Sequence, residues 1–250
     1  MSPIPYLSLS ELGQLLQYNT PAPPPSTNSL SQWKMERDDA PIFTYLYSQH
    51  QPRRHLEFGT WQGFGTCLCL EATPATVWTI NLLEGETKAD GSWAYGERIS
   101  DGAQTPADRQ EQVFCSKETG PLVYNRTDAR GYIGRFYRDK NLGHRVCQIY
   151  CDSRVWDTSC YPPGFFDSVL IDGGHQAEVV INDTRKALPL LRSGGMILWH
   201  DFCPLPEALA SSHVTQDVVA AVTTLRPELA SQLSALAWIN PSQILVGIKK

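Results

Sequence analysis

The stretch His55-Leu56-Glu57-Phe58-Gly59-Thr60-Trp61-Gln62-Gly63-Phe64-Gly65 predicts a buried strand, a glycine-rich turn and the start of a helix. Glycine adopts positive φ angles without strain and lets a ligand approach the backbone closely. The helix that begins near Gly63 offers free N–H groups to an anionic ligand group. The stretch therefore predicts a ligand-binding turn, with a purely structural turn as the alternative.

The remainder of the chain predicts a doubly wound, Rossmann-like α/β domain, because strands alternate with helices. We expect a mostly parallel sheet of seven strands, with helices on both faces and a closing antiparallel strand. The predicted strands are 54–58, 76–82, 145–150, 166–171, 196–199, 235–239 and 244–248, and the predicted helices are 9–16, 40–50, 128–139, 178–191 and 214–225.

The predicted domain organisation has two parts. Residues 1–50 form a helical and linker segment that contributes to the acceptor site, with Ser10 capping its first helix and Asp38 or Asp39 its second. Residues 51–250 form the main domain, in which a long insertion separates strands two and three. Residues 85–127 of that insertion have no clear period, so they predict either a lid over the ligand or a surface loop.

Composition narrows the class of partner. The net charge is −5 and no run of Lys or Arg forms a basic stripe, which argues against nucleic acid. The sequence contains no apolar stretch of transmembrane length and no signal-peptide pattern, so we expect a cytoplasmic protein that does not contact a membrane. The seven cysteines lack a Cys-x-x-Cys spacing and predict reduced thiols. The sequence leaves open whether the protein forms a homo-oligomer.

Polar residues follow five of the predicted strands. In an open α/β sheet, ligands bind beyond the carboxyl ends of the strands, so these residues are expected at one edge. They are Glu57 and Gly59, Asn81 and Glu84, Asp152 and Ser153, Asp172 to His175, and His200 with Asp201.

Two further segments, Phe166–His175 and Leu190–Asp201, give the pattern more specificity. Together with the Glu57–Gly65 turn they resemble class I S-adenosylmethionine (SAM) methyltransferases. The branch that they resemble modifies small molecules and includes natural-product and macrolide-sugar O-methyltransferases. The resemblance implies methyl transfer from SAM to a small-molecule acceptor, most simply at a hydroxyl oxygen.

The resemblance also implies roles for individual residues. The acidic residue and the turn would hold the methionine end of SAM, the end of strand two its ribose, and the end of strand three its adenine. The implied cofactor-binding residues are Glu57, Gly59, Thr60, Gly63, Gly65, Asn81, Glu84, Asp152, Ser153 and Asp172. Asn81 stands where the family usually has an acidic residue, and Glu84 is an alternative partner of the ribose.

The implied chemistry lies at the ends of strands four and five. In metal-using relatives, acidic groups there bind a divalent cation, so Asp172, His200 and Asp201 are the predicted ligands of Mg²⁺ or Mn²⁺. An imidazole suits Mn²⁺ and later transition metals better than Mg²⁺. Either the metal is therefore not Mg²⁺, or His200 points elsewhere, or no metal binds. His175 is the predicted general base, with Asp172 and Asp201 as the other catalytic residues. Without a metal, His175 would carry the proton transfer alone.

Two other classes of function remain open from the residues. An NAD(P)-dependent oxidoreductase would share the architecture, but it predicts Gly-x-Gly-x-x-Gly in the first turn and an acidic residue that closes strand two. Neither feature is present. A non-catalytic ligand-binding or scaffold protein on the same fold would bind SAM weakly or not at all.

Overall fold

The computed structural model describes residues 4–82, 111–116, 120–121 and 133–250. Within them, ten strands form one mixed sheet. The strands are β1 Tyr6–Leu7, β2 Arg54–Phe58, β3 Thr76–Asn81, β4 Glu111–Ser116, β5 Gly120–Pro121, β6 Val146–Tyr150, β7 Phe166–Ile171, β8 Leu191–Trp199, β9 Leu233–Ile239 and β10 Leu245–Lys249.

The strand order is β1-β9-β10-β8-β7-β2-β3-β6-β4-β5. The central strands β6, β3, β2, β7 and β8 are parallel to one another, so their carboxyl ends meet at one edge. Strand β10 runs antiparallel to both β8 and β9. This order puts the ends of β2 and β7, and of β7 and β8, side by side.

The predicted fold class is confirmed. All seven predicted strands are present, as β2, β3, β6, β7, β8, β9 and β10. The sequence did not predict the other three. Strand β1 pairs with β9, and β4 pairs antiparallel with β6 although it lies within the 85–127 insertion. Strand β5 also lies within this insertion and pairs with β4. The insertion's remaining residues, on which the predicted lid depends, lie outside the described residues, and so does Glu84.

Helices cover both faces of the sheet. They are α1 Leu9–Leu15, α2 Ala40–His50, α3 Phe64–Ala72, α4 Arg135–Asp139, α5 Ala177–Leu190, α6 Pro206–Ser211 and α7 His213–Gln232. Helices α2 and α3 bury Phe43, Leu46 and Leu70 against one face. Helices α5 and α7 bury Leu188 and Leu225 in the core on the other. This two-sided burial explains why the central strands are apolar on both faces.

Several predicted boundaries differ from the structure. Helix α7 continues to Gln232, seven residues beyond its predicted end. Helix α1 is capped by Ser8, not Ser10, because Ser8 Oγ accepts from the Glu11 N–H while the Glu11 carboxylate accepts from the Ser8 N–H. Strand β8 begins at Leu191, five residues before the predicted start, since Leu191 pairs with Phe166 ahead of an irregularity in register. Helix α4 covers only the end of the predicted 128–139 helix, and residues 128–132 lie outside the described residues.

A short π-helical turn, Met35–Asp39, leads into α2. Asp38 on this turn is buried, and its carboxylate accepts from Ser26 Oγ at 2.6 Å and from the Lys34 N–H at 2.8 Å. Asp38 therefore holds Ser26 and Lys34 together within the segment before α2. Asp39 occupies the N-cap position of α2, as predicted, but its side chain makes no hydrogen bond to the start of the helix.

Among the described residues, none of the helices is both long enough and apolar enough to cross a lipid bilayer.

Candidate functional site

The turn after β2 is held in an unusual backbone conformation. Gly59 has φ +99° and Gly63 has φ +83°. A Cβ on Gly59 would lie 2.0 Å from the carbonyl oxygen of Asp172, so the turns after β2 and β7 touch through this glycine. The Asp172 N–H donates to the Phe58 carbonyl at 2.9 Å, which fixes the same contact. The absent side chain at Gly59 thus permits the close approach of two strand ends.

Glu57 lies beneath this turn and is 1% exposed. Its Oε2 accepts from the hydroxyls of Thr66, at the start of α3, and of Thr79, on β3. Among the described residues Oε1 has no hydrogen-bond partner. Burial raises the pKa of Glu57 to about 8, although both threonines work to lower it. A buried, half-satisfied carboxyl beside a glycine turn suits a cationic ligand group.

Gly65 and Gly63 shape the first turn of α3. A Cβ on Gly65 would lie 2.5 Å from Glu57 Oε1, and one on Gly63 would lie 2.8 Å from the ring of Tyr137. The absence of a side chain at Gly65 therefore leaves space for Glu57, and its absence at Gly63 leaves space for Tyr137 of helix α4. Thr66, which the sequence did not single out, holds Glu57 in this space.

The ends of β3 and β6 support the turn from the other side. Asn81 Oδ1 accepts from the Trp61 N–H at 2.9 Å, and its Nδ2 donates to the Leu82 carbonyl. Thr60 is buried, and its hydroxyl contacts Thr79 Oγ1 at 2.7 Å and Gln148 Nε2 at 2.9 Å. Asn81 and Thr60 thus both help to hold the turn in place.

Asp152 and Ser153 follow β6 as predicted. Burial works to raise the pKa of Asp152, but the hydrogen bonds from the side chain and backbone of Arg154 outweigh it and lower the pKa. The Ser153 carbonyl accepts from Lys186 Nζ at 2.7 Å. These contacts give the loop after β6 a fixed path between β6 and α5.

Four side chains gather where β7 and β8 end. His200 Nδ1 lies 3.1 Å from Asp172 Oδ1 and 3.5 Å from Asp201 Oδ2. His175 Nε2 lies 2.9 Å from the same Asp201 Oδ2. Asp201 itself has φ +57°, a conformation that few non-glycine residues adopt. The predicted residues Asp172, His175, His200 and Asp201 are therefore in mutual contact.

The charged groups of this cluster shift one another's pKa values. Burial works to lower the pKa of His200, but the charges of Asp172 and Asp201 raise it well above the ordinary value of 6.5. His175 shifts in the same direction, because its hydrogen bond to Asp201 outweighs burial. Burial works to raise the pKa of Asp201, yet both histidines together hold it well below the ordinary range. His200 is thus a buried imidazolium between carboxylates.

A fifth member of the cluster is Asp39, which is completely buried. Its Oδ2 lies 3.2 Å from His200 Nε2, across 161 residues of sequence. The sequence interpretation treats this residue only as a helix cap. Nothing in the local sequence connects Asp39 with β8. The one available signal is the pair Asp38-Asp39, because a helix needs only one acidic residue as its cap.

Within the part of the chain that the structure describes, one group of side chains could hold a metal ion. Asp172, His175 and Asp201 each offer a ligand atom, and these atoms lie within 4.8 Å of one another. Two carboxylates and one imidazole form a donor set that Mn²⁺ accepts readily. The geometry differs from the predicted set, because His200 has both ring nitrogens directed at carboxylates. A doubly protonated imidazole has no lone pair for a metal.

Comparisons with known structures show the fold. A candidate caffeoyl-CoA O-methyltransferase from Staphylococcus aureus has a TM-score of 0.53 and 14% identity, covering 97% of this chain and 90% of that one. A candidate O-methyltransferase from Nostoc punctiforme PCC 73102 has a TM-score of 0.55 and 14% identity, covering 84% and 56%. An O-methyltransferase family protein from Burkholderia thailandensis has a TM-score of 0.51 and 13% identity, covering 85% and 55%.

Sequence comparison supplies the family. No curated protein sequence matches the chain. The family model described as "Methyltransferase domain" matches residues 56–202, which is more than half of the chain and includes the turn after β2 and the ends of β7 and β8. This match confirms the resemblance that the three sequence segments indicate. The chain belongs to the methyltransferase-domain family.

Proposed function

We propose that this protein transfers the methyl group of SAM to a hydroxyl oxygen of a small-molecule acceptor. The observation that carries the proposal is the unpartnered Oε1 of buried Glu57, next to the turn that Gly59 and Gly63 shape. SAM carries an ammonium group in its methionine part, and a buried carboxylate oxygen without a partner suits such a group. The donor chemistry of this chain therefore fits SAM.

The remaining residues around the turn would bind the rest of SAM. The first N–H groups of α3, after Gly63, suit the carboxylate of the methionine part. Asn81 would contact the ribose in addition to holding Trp61, and Asp152 with Ser153 would border the adenine. Asp172 would lie below the methyl group, since its backbone touches Gly59.

The cluster at the ends of β7 and β8 would supply the proton transfer. The acceptor oxygen attacks the methyl carbon, the bond between carbon and sulfur breaks, and the hydroxyl proton must leave the oxygen. His175 Nε2 is bonded to Asp201, which leaves Nδ1 to take that proton. The general base would thus be a His175–Asp201 pair, and most of the remaining rate enhancement would come from positioning.

A metal-assisted variant of the same reaction is the second candidate, because three ligand atoms lie within 4.8 Å. Asp172, His175 and Asp201 would hold the ion, and a bound divalent ion lowers the pKa of the acceptor hydroxyl. The two candidates differ in one measurement. If the His175–Asp201 pair acts without a metal, the enzyme keeps full activity after dialysis against EDTA. If a metal takes part, activity is lost on dialysis and added Mn²⁺ or Mg²⁺ restores it.

The N-terminal segment would contribute to the acceptor side. Met35 lies on the π-helical turn, and its Cε is 3.6 Å from the position of a Cβ on Gly65. Asp39 on the same turn reaches His200. We propose that residues 1–50 border the site where the acceptor binds, while residues 51–250 bind SAM.

Methyl transfer can be tested with radiolabelled SAM and a panel of acceptors. Catechol, caffeic acid, a flavonol and a macrolide glycoside sample the aromatic and sugar hydroxyls that small-molecule methyltransferases modify. We expect label in at least one product, formed at least about 100-fold more slowly by the Asp201→Asn variant. If no acceptor is labelled and SAM does not bind, the proposed function is wrong.

The raised pKa of Glu57 gives a prediction about proton release. At pH 7 the free carboxyl is mostly protonated, because its pKa is about 8. An ammonium group beside Oε1 favours the charged form, so SAM binding should release about one proton more from the wild type than from Glu57→Gln. Isothermal titration at pH 7, in two buffers of different ionisation enthalpy, measures this difference. Equal proton release from both proteins would exclude Glu57 as the partner of the ammonium group.

A further inference from the structure

Asp39 joins the N-terminal segment to two other parts of the fold. Its Oδ2 contacts His200 Nε2 at 3.2 Å, and its Oδ1 accepts from the Gln243 N–H at 3.2 Å. The two oxygens of one carboxylate thus bind the residue that follows β8 and the loop that precedes β10. Asp39 is 0% exposed, so neither contact is weakened by water.

His200 passes this contact on to the predicted catalytic residues. Its second nitrogen, Nδ1, faces Asp172 Oδ1 at 3.1 Å and Asp201 Oδ2 at 3.5 Å. Both nitrogens belong to one rigid, planar ring. The direction in which Nδ1 points therefore depends on what holds Nε2, which is Asp39. Phe43 packs against the ring at 5.8 Å between centroids, but it offers no hydrogen bond.

We propose that Asp39 is a positioning residue for methyl transfer, which rests on the function proposed above. Asp39 holds the His200 ring so that Nδ1 keeps Asp172 and Asp201 in their orientation. Asp201 in turn holds His175 at 2.9 Å. The N-terminal segment thereby fixes the geometry of the reacting groups without touching them. The side chain of Glu57, proposed to bind the ammonium group of SAM, is not part of this chain of contacts.

The Asp39→Asn substitution isolates this role because it preserves the shape of the side chain. An amide has one acceptor oxygen, whereas Asp39 accepts from two donors, His200 and the Gln243 N–H. The amide can therefore keep only one of these two contacts unchanged, because its NH₂ group faces the other partner. We expect kcat to fall by about 10- to 100-fold, the size of effect that a misplaced catalytic group produces, and the Kd for SAM to change by less than about twofold.

A double-mutant cycle separates positioning through His200 from a general loss of structure. Wild type, Asp39→Asn, His200→Gln and the double variant are assayed with SAM and the acceptor of highest rate in the panel above. Rates are expressed per SAM-binding site, as titrated with SAM. If Asp39 acts through His200, the asparagine substitution changes kcat by less than about twofold in the His200→Gln background. Glu36→Gln, which removes an exposed acid from the same turn, is the control and should retain full kcat.

The outcomes are distinguishable. The same fold-loss for Asp39→Asn in both backgrounds, or an unchanged kcat in the single variant, overturns the positioning role. If Asp39→Asn does not fold, Asp39→Ser goes through the same cycle with the same expectation, since its short hydroxyl removes the His200 contact. A wild type that transfers no methyl group contradicts the proposed function instead.

Discussion

Asp201→Asn should lower kcat by about 10²- to 10⁴-fold, the usual contribution of a general base, while the Kd for SAM changes by less than about threefold. The substitution keeps the shape of the side chain but removes the charge that holds His175 Nε2 at 2.9 Å and faces His200 Nδ1 at 3.5 Å. Without this charge His175 is a weaker base and is free to rotate. SAM affinity is retained because Glu57 and the turn after β2 are unchanged.

The Asp201→Asn substitution should also shift the pH dependence of kcat. A protonated His175 cannot accept a proton, so kcat should rise with pH through the pKa of His175. Asp201 is the main cause that raises this pKa. The pH at half-maximal kcat should therefore fall in Asp201→Asn, and a profile of kcat from pH 5 to 9 measures the shift.

Matched controls come from helix α7, where Asp217 and His213 are exposed. Asp217→Asn and His213→Gln should retain wild-type kcat, whereas His175→Gln should lose as much as Asp201→Asn. A variant of His175 or Asp201 with full activity contradicts the role of the pair. Loss of activity in Asp201→Asn together with lost SAM binding would point to a folding defect.

Gly59→Ala should abolish SAM binding and destabilise the protein by at least about 3 kcal/mol, from overpacking together with backbone strain. The added Cβ would lie 2.0 Å from the Asp172 carbonyl oxygen and 2.7 Å from Gly173 Cα, and both are backbone atoms. Because φ is +99°, alanine is strained there even if the neighbouring turn moves away. The ends of β2 and β7 must then separate, which disrupts the site. Thermal and denaturant unfolding, followed by titration with SAM, measure both effects.

Gly194→Ala is the matched control for this prediction. Gly194 also has a positive φ, +70°, but a Cβ there would meet only the end of the Arg192 side chain at 3.4 Å. Strain alone should cost about 1 kcal/mol and leave SAM binding intact. Similar stability losses for the two variants would mean that the contact between the turns is not the reason for glycine at position 59.

The sequence predicted the sheet and the glycine-rich turn after β2 well because both depend on local patterns. Apolar runs separated by helix-forming segments define β2, β3 and β6 to β10, and the spacing of Gly59, Gly63 and Gly65 defines the turn. Strand β4 was missed because its partner, β6, lies some thirty residues later, and an edge strand has a weak pattern of its own.

The contact between Asp39 and His200 depends on tertiary structure and could not be predicted. Asp39 meets His200 across 161 residues, and no pattern near either residue indicates the pair. His200 and Asp201 are adjacent in sequence, which suggested a shared metal site. In the structure both ring nitrogens of His200 face carboxylates, Nε2 that of Asp39 and Nδ1 those of Asp172 and Asp201. His175, not His200, therefore completes the group of three possible ligand atoms with Asp172 and Asp201.

Titration of the wild-type protein with SAM tests the central claim most directly. We expect one saturable site per chain with a Kd below about 1 mM, the upper end of typical substrate affinities. Glu57→Gln should weaken this binding, and NADH should neither bind nor compete. A chain that binds NADH at this site, or gives no saturable signal with SAM, would contradict the account.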